Sequence, residues 1–336
     1  MIPVAVLTGF LGSGKTTLLG HLLRHADFSR TAVIINEFGE IGLDHELIEA
    51  SDESFIELKT GCICCTIRGD LVLTLADLLR RRDQGKIMPF ERVVVETTGL
   101  ADPAPILHAL ATDPLMAERT LLQGVVVTVD AQAGLGTLSR HGEAVKQVAV
   151  ADRLVLTKSD LGEAELPALR ERLRQLNPAA PLQVAHFGAI DPAGLFDIGP
   201  VNAASKAADL TGWLAAEAIE RLSHHAQGEI ATFCLTLDRP IHAVTLALFL
   251  ELLAEHAGAD LLRVKGILDV VESPGRPAVI HGVQHVFHPP AFLPGWPSSD
   301  RRGRIVCIVR GIPRRWIELL LAMLEEDVAA AAAALR

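Results

Sequence analysis

The run Gly9-Phe10-Leu11-Gly12-Ser13-Gly14-Lys15-Thr16 holds the residue types that a phosphate cradle needs. Glycines let consecutive backbone N–H groups turn inward around an anion, and a helix that begins near Gly14 adds its positive dipole end. Lys15 can then reach β- and γ-phosphates, and the Thr16 hydroxyl can ligate Mg²⁺. A glycine turn that merely joins a strand to a helix has no need of Lys-Thr at its end. The whole pattern stands here between an apolar strand-like run and a leucine-spaced helix, which points to a P-loop.

Other residues could do chemistry beside it. Arg92-Val93-Val94-Val95-Glu96 reads as a buried strand ending in a carboxylate, with Gly99 three residues on. An acid there can polarise Mg²⁺ or its water, and the Gly99 N–H can donate to a γ-phosphate; a plain strand end is the alternative. Thr157-Lys158-Ser159-Asp160 follows the apolar Leu154-Val155-Leu156. Asp160 could accept two N–H groups from guanine with the Lys158 stem along the base, or Ser159 or Asp160 could simply cap a helix. After the β-branched run Thr31 to Ile35, Glu37, Glu40 and Asp44 fall in an acidic, glycine-containing loop, either a nucleotide switch or solvated carboxylates.

Cys62, Cys64 and Cys65 are packed together. Thiolates suit Zn²⁺ and can take Co²⁺, and an extended Cys-x-Cys points two sulfurs to one side. A three-sulfur site needs a turn at Cys64 and a fourth ligand, for which Glu37 or a water is available. Two rival readings stand: Cys62 and Cys65 form a Cys-x-x-Cys redox pair, or all three are small buried residues.

These residues need a scaffold. Apolar runs at Val4 to Leu7, Thr31 to Ile35, Ser54 to Leu58, Arg92 to Glu96, Val125 to Val129, Leu154 to Leu156 and Leu182 to His186 alternate with helical segments, one of them marked by Leu71, Leu75, Leu78 and Leu79. Alternation of this kind predicts an α/β domain with a mainly parallel sheet covered on both faces. Loops at the carboxyl ends of its strands share one edge, so the P-loop, Glu37, Glu96 and the cysteines would meet there if the Ser54 to Leu58 strand is parallel. A Gly-, Pro- and Ala-rich stretch after Phe187 sets the domain boundary, giving a nucleotide-binding domain over 1–215 and a second domain over 229–336. That second part reads as a small α+β sandwich. Its strands are Ile230 to Leu237, Leu261 to Val271, Ala278 to Phe287 and Gly303 to Val309, its helices His242 to His256 and Pro313 to Asp327, with an alanine-rich tail. His281 and His285 would share a strand face, as ordinary strand histidines or as metal ligands; His288 follows without an assigned role.

At 336 residues and 49% hydrophobic content the chain can bury two cores, and a net charge of −10 offers no basic footprint for nucleic acid or an anionic membrane. Met1-Ile2-Pro3 leads straight into the first strand, without room for a cleavable signal, so a cytoplasmic protein is expected. Five cysteines, three of them clustered, do not look like a disulfide framework.

Together, Thr8 to Thr17, Asn36-Glu37-Phe38-Gly39, Gly61 to Thr66, Glu96-Thr97-Thr98-Gly99 and Thr157 to Asp160 resemble the CobW family of GTPases, relatives of the nickel-insertion GTPases of hydrogenase and urease maturation. Leu262 to Gly266 and His281 to Phe287 resemble the CobW C-terminal domain, so the resemblance covers nearly the whole chain. It implies a P-loop GTPase domain whose nucleotide, GTP or GDP, is held by Gly9, Gly12, Ser13, Gly14, Lys15, Thr16 and Thr17 together with Lys158 and Asp160. It also implies GTP hydrolysis coupled to delivery of Zn²⁺, or in some branches Co²⁺, to a client metalloprotein, and leaves homo-oligomerisation open. Thr157 departs from the asparagine of many GTPases, which removes a side-chain amide that would brace the P-loop. The rival classes are a nucleotide-gated thiol redox protein and a P-loop kinase, and Lys158 with Asp160 argues against the kinase.

Overall fold

In the computed structural model, which describes residues 1–36, 67–161, 165–191, 195–196, 226–227 and 230–334, the P-loop follows a central strand of a parallel sheet. In chain order the elements of this part are β1 (Ile2–Gly9), α1 (Lys15–Leu23), β2 (Thr31–Asn36), α2 (Ile67–Asp83), β3 (Arg92–Thr97), α3 (Ala104–Thr112), α4 (Pro114–Arg119) and β4 (Thr120–Asp130). Then come α5 (Gly134–Arg140), α6 (Gly142–Val150), β5 (Arg153–Thr157), α7 (Leu166–Leu176) and β6 (Leu182–Val184). The six strands lie in the order β2-β3-β1-β4-β5-β6, every neighbouring pair parallel.

Why these runs become strands is visible in their burial. Val4 to Leu7, Val93 to Val95 and Val125 to Val127 are all 0–1% exposed, because a parallel sheet is covered on both faces and needs continuous apolar runs. Each such valine contributes on the order of 1.5 kcal/mol through burial. On one face Leu18, Leu19 and Leu22 of α1 pack with Ala5, Leu7, Val33, Val94, Val126 and Val155. The helix expected from Leu71, Leu75, Leu78 and Leu79 forms as α2, with all four buried. Pro103 caps α3, and the Asp102 carboxylate accepts the Ala104 N–H at 3.0 Å. β6 is shorter than the expected run to His186, which instead pairs with Ala189 across a tight turn. The expected strand at Ser54 to Leu58 lies outside the described residues.

The chain divides into two compact units, residues 1–172 with 182–199, and 173–181 with 200–336. The second is built on an antiparallel sheet ordered β11-β10-β9-β13-β8-β7. Its elements are β7 (Ala226–Gln227), β8 (Ile230–Leu237), α8 (Ala243–Ala257), β9 (Leu261–Leu268), β10 (Ala278–Val283), β11 (Val286–Phe287), β12 (Ala291–Phe292), β13 (Gly303–Arg310) and α9 (Arg314–Ala334). Phe249 and Leu253 of α8 and Ile317 of α9 pack on one face with Val264, Ile280 and Cys307. Ala179, Cys234, Ile267, Val279 and Val306 form the core of the other face.

Three expectations for this unit are corrected. Ala278 to Phe287 is a hairpin, not one strand: Val283 pairs with Val286, and Gln284 turns at φ 51°. His285 therefore sits in the turn, off the strand face of His281, with Nδ1 2.8 Å from the Ala254 carbonyl oxygen. The strand from Leu261 stops at Leu268, and the alanine-rich tail continues α9 to Ala334, as expected of the residue with the highest helix propensity. No helix among the described residues is long and apolar enough to cross a membrane.

Candidate functional site

Gly14 caps α1 at φ 85°, a left-handed conformation that side chains resist, and so aims the first turn of the helix back over the loop. Lys15 begins the helix and is 9% exposed, its Nζ donating to the Gly9 carbonyl at 2.8 Å and to the Phe10 carbonyl at 3.3 Å. One residue on, the Thr16 hydroxyl donates to Glu96 Oε1 at 2.9 Å. Glu96 is 4% exposed near the end of β3, so the adjacent central strands carry the two groups to one point. A hydroxyl and a carboxylate are hard oxygen donors of the kind Mg²⁺ takes, and the half-buried Thr16 beside the buried Glu96 fits that ion.

The loop after β3 lies against the P-loop. A Cβ on Gly99 would stand 2.6 Å from the Leu11 nitrogen and 2.7 Å from its Cα, so only glycine permits this approach. Thr17 is exposed on the first turn of α1.

A set of hydroxyls under the loop was not anticipated. Ser13 Oγ lies 2.7 Å from Thr128 Oγ1, the Thr97 hydroxyl donates to that of Thr8 at 2.6 Å, and the Thr157 hydroxyl donates to the Ser13 carbonyl at 2.7 Å. The last bond shows that Thr157, which lacks the amide of an asparagine, still braces the P-loop through its hydroxyl at the end of β5.

Lys158, at φ 55°, sends its Nζ to the Gly12 carbonyl at 2.7 Å and to Asp130 Oδ2 at 2.7 Å. It thus ties the P-loop to the end of β4. Burial pushes the Asp130 carboxyl up, but Lys158 and the N–H groups of Gln132 and Ala133 outweigh it and hold it below the usual carboxylate range. Asp130 was missed as a site residue, although a carboxylate ending an apolar strand is the same signal that singled out Glu96. Asp160 is exposed on a short 3-10 turn, Ser159–Leu161, and Ser159 Oγ lies 3.5 Å from His186 Nδ1. Glu37, Cys62, Cys64 and Cys65 lie outside the described residues, and among those described no three His, Cys, Asp or Glu side chains converge as a metal site.

A parallel sheet with the P-loop, Lys15, Thr16, Glu96, Asp130 and Lys158 at the carboxyl ends of its strands defines a P-loop nucleoside triphosphatase of the GTPase class. The chain belongs to the CobW family: residues 3–183 match the CobW/HypB/UreG nucleotide-binding domain and residues 230–325 the cobalamin synthesis protein cobW C-terminal domain. Zinc chaperone YjiA of Escherichia coli is 34% identical over 342 residues, covering 100% of this chain and 99% of YjiA. Zinc chaperone CobW of a Sinorhizobium species is 32% identical over 307 residues, covering 82% of this chain and 83% of its own. The crystal structure of Zn(II)-bound YjiA GTPase from E. coli matches with a TM-score of 0.69 at 28% identity, over 96% of this chain and 98% of that one.

Proposed function

We propose that this protein hydrolyses GTP to GDP and phosphate, and that the cycle governs binding of Zn²⁺, or secondarily Co²⁺, and its delivery to a client metalloprotein. The observation that carries the nucleotide half is the Thr16–Glu96 hydrogen bond at 2.9 Å, which joins the start of α1 to β3. Thr16 would hold Mg²⁺ and Glu96 would orient its water, the ion neutralising phosphate oxygens when bound. Lys15 reaches the β- and γ-phosphates, and Gly9, Gly12, Ser13, Gly14 and Thr17 line the phosphate path. Gly99 meets the γ-phosphate, and Lys158 with Asp160 selects guanine. The zinc half is supported by the relatives named as zinc chaperones, with Cys62, Cys64 and Cys65 as ligands and Glu37 or water as the fourth. In this reading residues 1–215 form the nucleotide domain and 229–336 the C-terminal domain.

The test is phosphate release by the full chain with Mg²⁺ and either GTP or ATP, beside a Zn²⁺ titration. Slow GTP turnover is expected, because the sequence offers no obvious arginine finger. Lys15→Ala should weaken nucleotide binding by at least about 10²-fold, since charge-assisted bonds to phosphate are lost. Equal use of ATP and GTP would remove the guanine assignment. Wild-type turnover in Lys15→Ala would remove the P-loop role.

A further inference from the structure

Gln147 is a polar side chain in the core of the first unit, 1% exposed on α6. Its Nε2 donates to two backbone carbonyls of the loop after β3, Gly99 at 3.2 Å and Ala101 at 3.0 Å. Both amide hydrogens are thus used on one loop, and Oε1 is left buried without a hydrogen-bond partner. A leucine or methionine would fill the same volume without leaving that acceptor unmet, so packing alone does not account for the amide. What the amide adds is a grip on the Gly99 to Ala101 segment.

The helix that carries this grip also holds the P-loop. His141 caps α6, and its ring stacks on Phe10 with centroids 4.6 Å apart and planes 29° apart. His141 and Gln147 stand about 9 Å apart along the helix at 1.5 Å per residue. α6 therefore touches the phosphate loop at one end and the loop after β3 partway along. Between α6, α5 and the P-loop lies a small cleft open to solvent, lined by Phe10, Leu11, Thr128, Leu138 and Gln147 among others. The loop is accordingly held on two sides, by the close approach of Gly99 to the Leu11 backbone and by the two hydrogen bonds from Gln147.

We infer that Gln147 is a positioning residue for γ-phosphate discrimination: by fixing the carbonyls of Gly99 and Ala101 it holds the loop against the P-loop, where Gly99 can read the third phosphate. The inference rests on the assignment of Gly99 to the γ-phosphate. It makes Gln147 matter for GTP and not for GDP, which a purely structural residue would not do.

The experiment measures affinity of the full chain for GDP and for a non-hydrolysable GTP analogue, with Mg²⁺, in wild type and in Gln147→Met, which keeps length and loses both donors. The expected result is GDP affinity within about twofold of wild type, and analogue affinity and kcat lowered on the order of tenfold, the scale of one to two hydrogen bonds. Unchanged affinity for both nucleotides, or an equal loss for both, overturns the positioning role. Should Gln147→Met fail to fold, Gln147→Asn keeps the amide but shortens its reach, and the same comparison applies. Gly99→Ala separates the two layers. If it leaves analogue and GDP binding at wild-type levels, the γ-phosphate assignment falls and this inference with it. If it abolishes analogue binding and spares GDP binding while Gln147→Met changes nothing, the assignment stands and only the role of Gln147 is overturned; an equal loss of both nucleotides means the added Cβ has disturbed the P-loop itself, and the assignment of Gly99 to the γ-phosphate falls with this inference.

Discussion

Thr157 accounts for how the P-loop keeps its shape from below. Its hydroxyl, on a side chain 4% exposed, donates to the Ser13 carbonyl at 2.7 Å and lies 3.3 Å from the Val129 carbonyl. Thr157→Val keeps the shape and removes the donor, and a buried hydrogen bond lost in this way costs about 1 kcal/mol or more. GDP affinity should fall roughly fivefold or further, while Thr157→Ser should bind as wild type; a GDP titration in which the valine variant matches wild type would remove the brace. The grouping of Lys15, Thr16, Glu96 and Gly99 around one loop was legible in the sequence, because each belongs to a short spacing that places it at or just past the end of a strand or at the start of a helix. Thr157, Asp130 and Gln147 were not read correctly for a physical reason. Their partners are 144, 28 and 46–48 residues away in sequence, so nothing local announces the contact.

Among the elements, α8 has no cap from its own N-terminal residue, and carboxylates from elsewhere in the second unit take that place. Glu325 of α9 accepts the His242 N–H at 3.0 Å and the Thr245 hydroxyl at 2.5 Å, and lies 2.7 Å from His242 Nδ1, while Glu272 accepts the Ala243 N–H at 2.7 Å. Negative charge at a helix N-terminus is favourable. Burial pushes the Glu325 carboxyl up, but the bonds from Thr245 and His242 outweigh it and hold it below its usual 4.5. A depressed folded value means the stabilisation is fully present above pH 4.5 and is lost as pH falls through that folded value. Glu325→Gln should therefore raise amide exchange in the first turn of α8 near neutral pH, by the equivalent of about 1 kcal/mol, and differ little from wild type in strong acid. A difference that persists unchanged in acid would show that charge is not the cause. The same unit shows what periodicity reads and what it misses. Fully apolar strands declare themselves, whereas the turn at Gln284-His285 falls inside the strand-like run Ala278 to Phe287 without the Asn-Gly that usually marks a two-residue hairpin, so the run reads as one strand. The polyalanine end of α9, read from the sequence as a tail after Asp327, stays helical because alanine adds to an existing helix without any stripe of larger side chains.

On the scale of the whole molecule, the question is whether nucleotide and metal share an equilibrium. The first unit gathers Lys15, Thr16, Glu96, Gly99, Asp130 and Lys158 at the carboxyl edge of one sheet, and β2 ends on that same edge at Asn36. Residues 37–66, which hold Glu37 and the three clustered cysteines, join that edge to α2 at Ile67. A segment that follows a strand on the edge proposed to bind the γ-phosphate could be ordered by that phosphate and released on hydrolysis, as nucleotide switches are. GTP with Mg²⁺ is then expected to tighten Zn²⁺ binding and hydrolysis to loosen it. Linkage demands reciprocity: if GTP raises Zn²⁺ affinity about tenfold, roughly 1.4 kcal/mol, Zn²⁺ must raise GTP affinity by the same factor. Replacing Cys64 and Cys65 together by serine should erase the coupling and leave GTP binding near normal, because hydroxyls are poor zinc ligands and the P-loop is untouched. Competition titration of Zn²⁺ into apo, GDP-bound and GTP-analogue-bound protein reads the coupling directly. Identical zinc affinity in all three would mean that nucleotide and zinc share a chain without sharing an equilibrium, and the proposed coupling would fall.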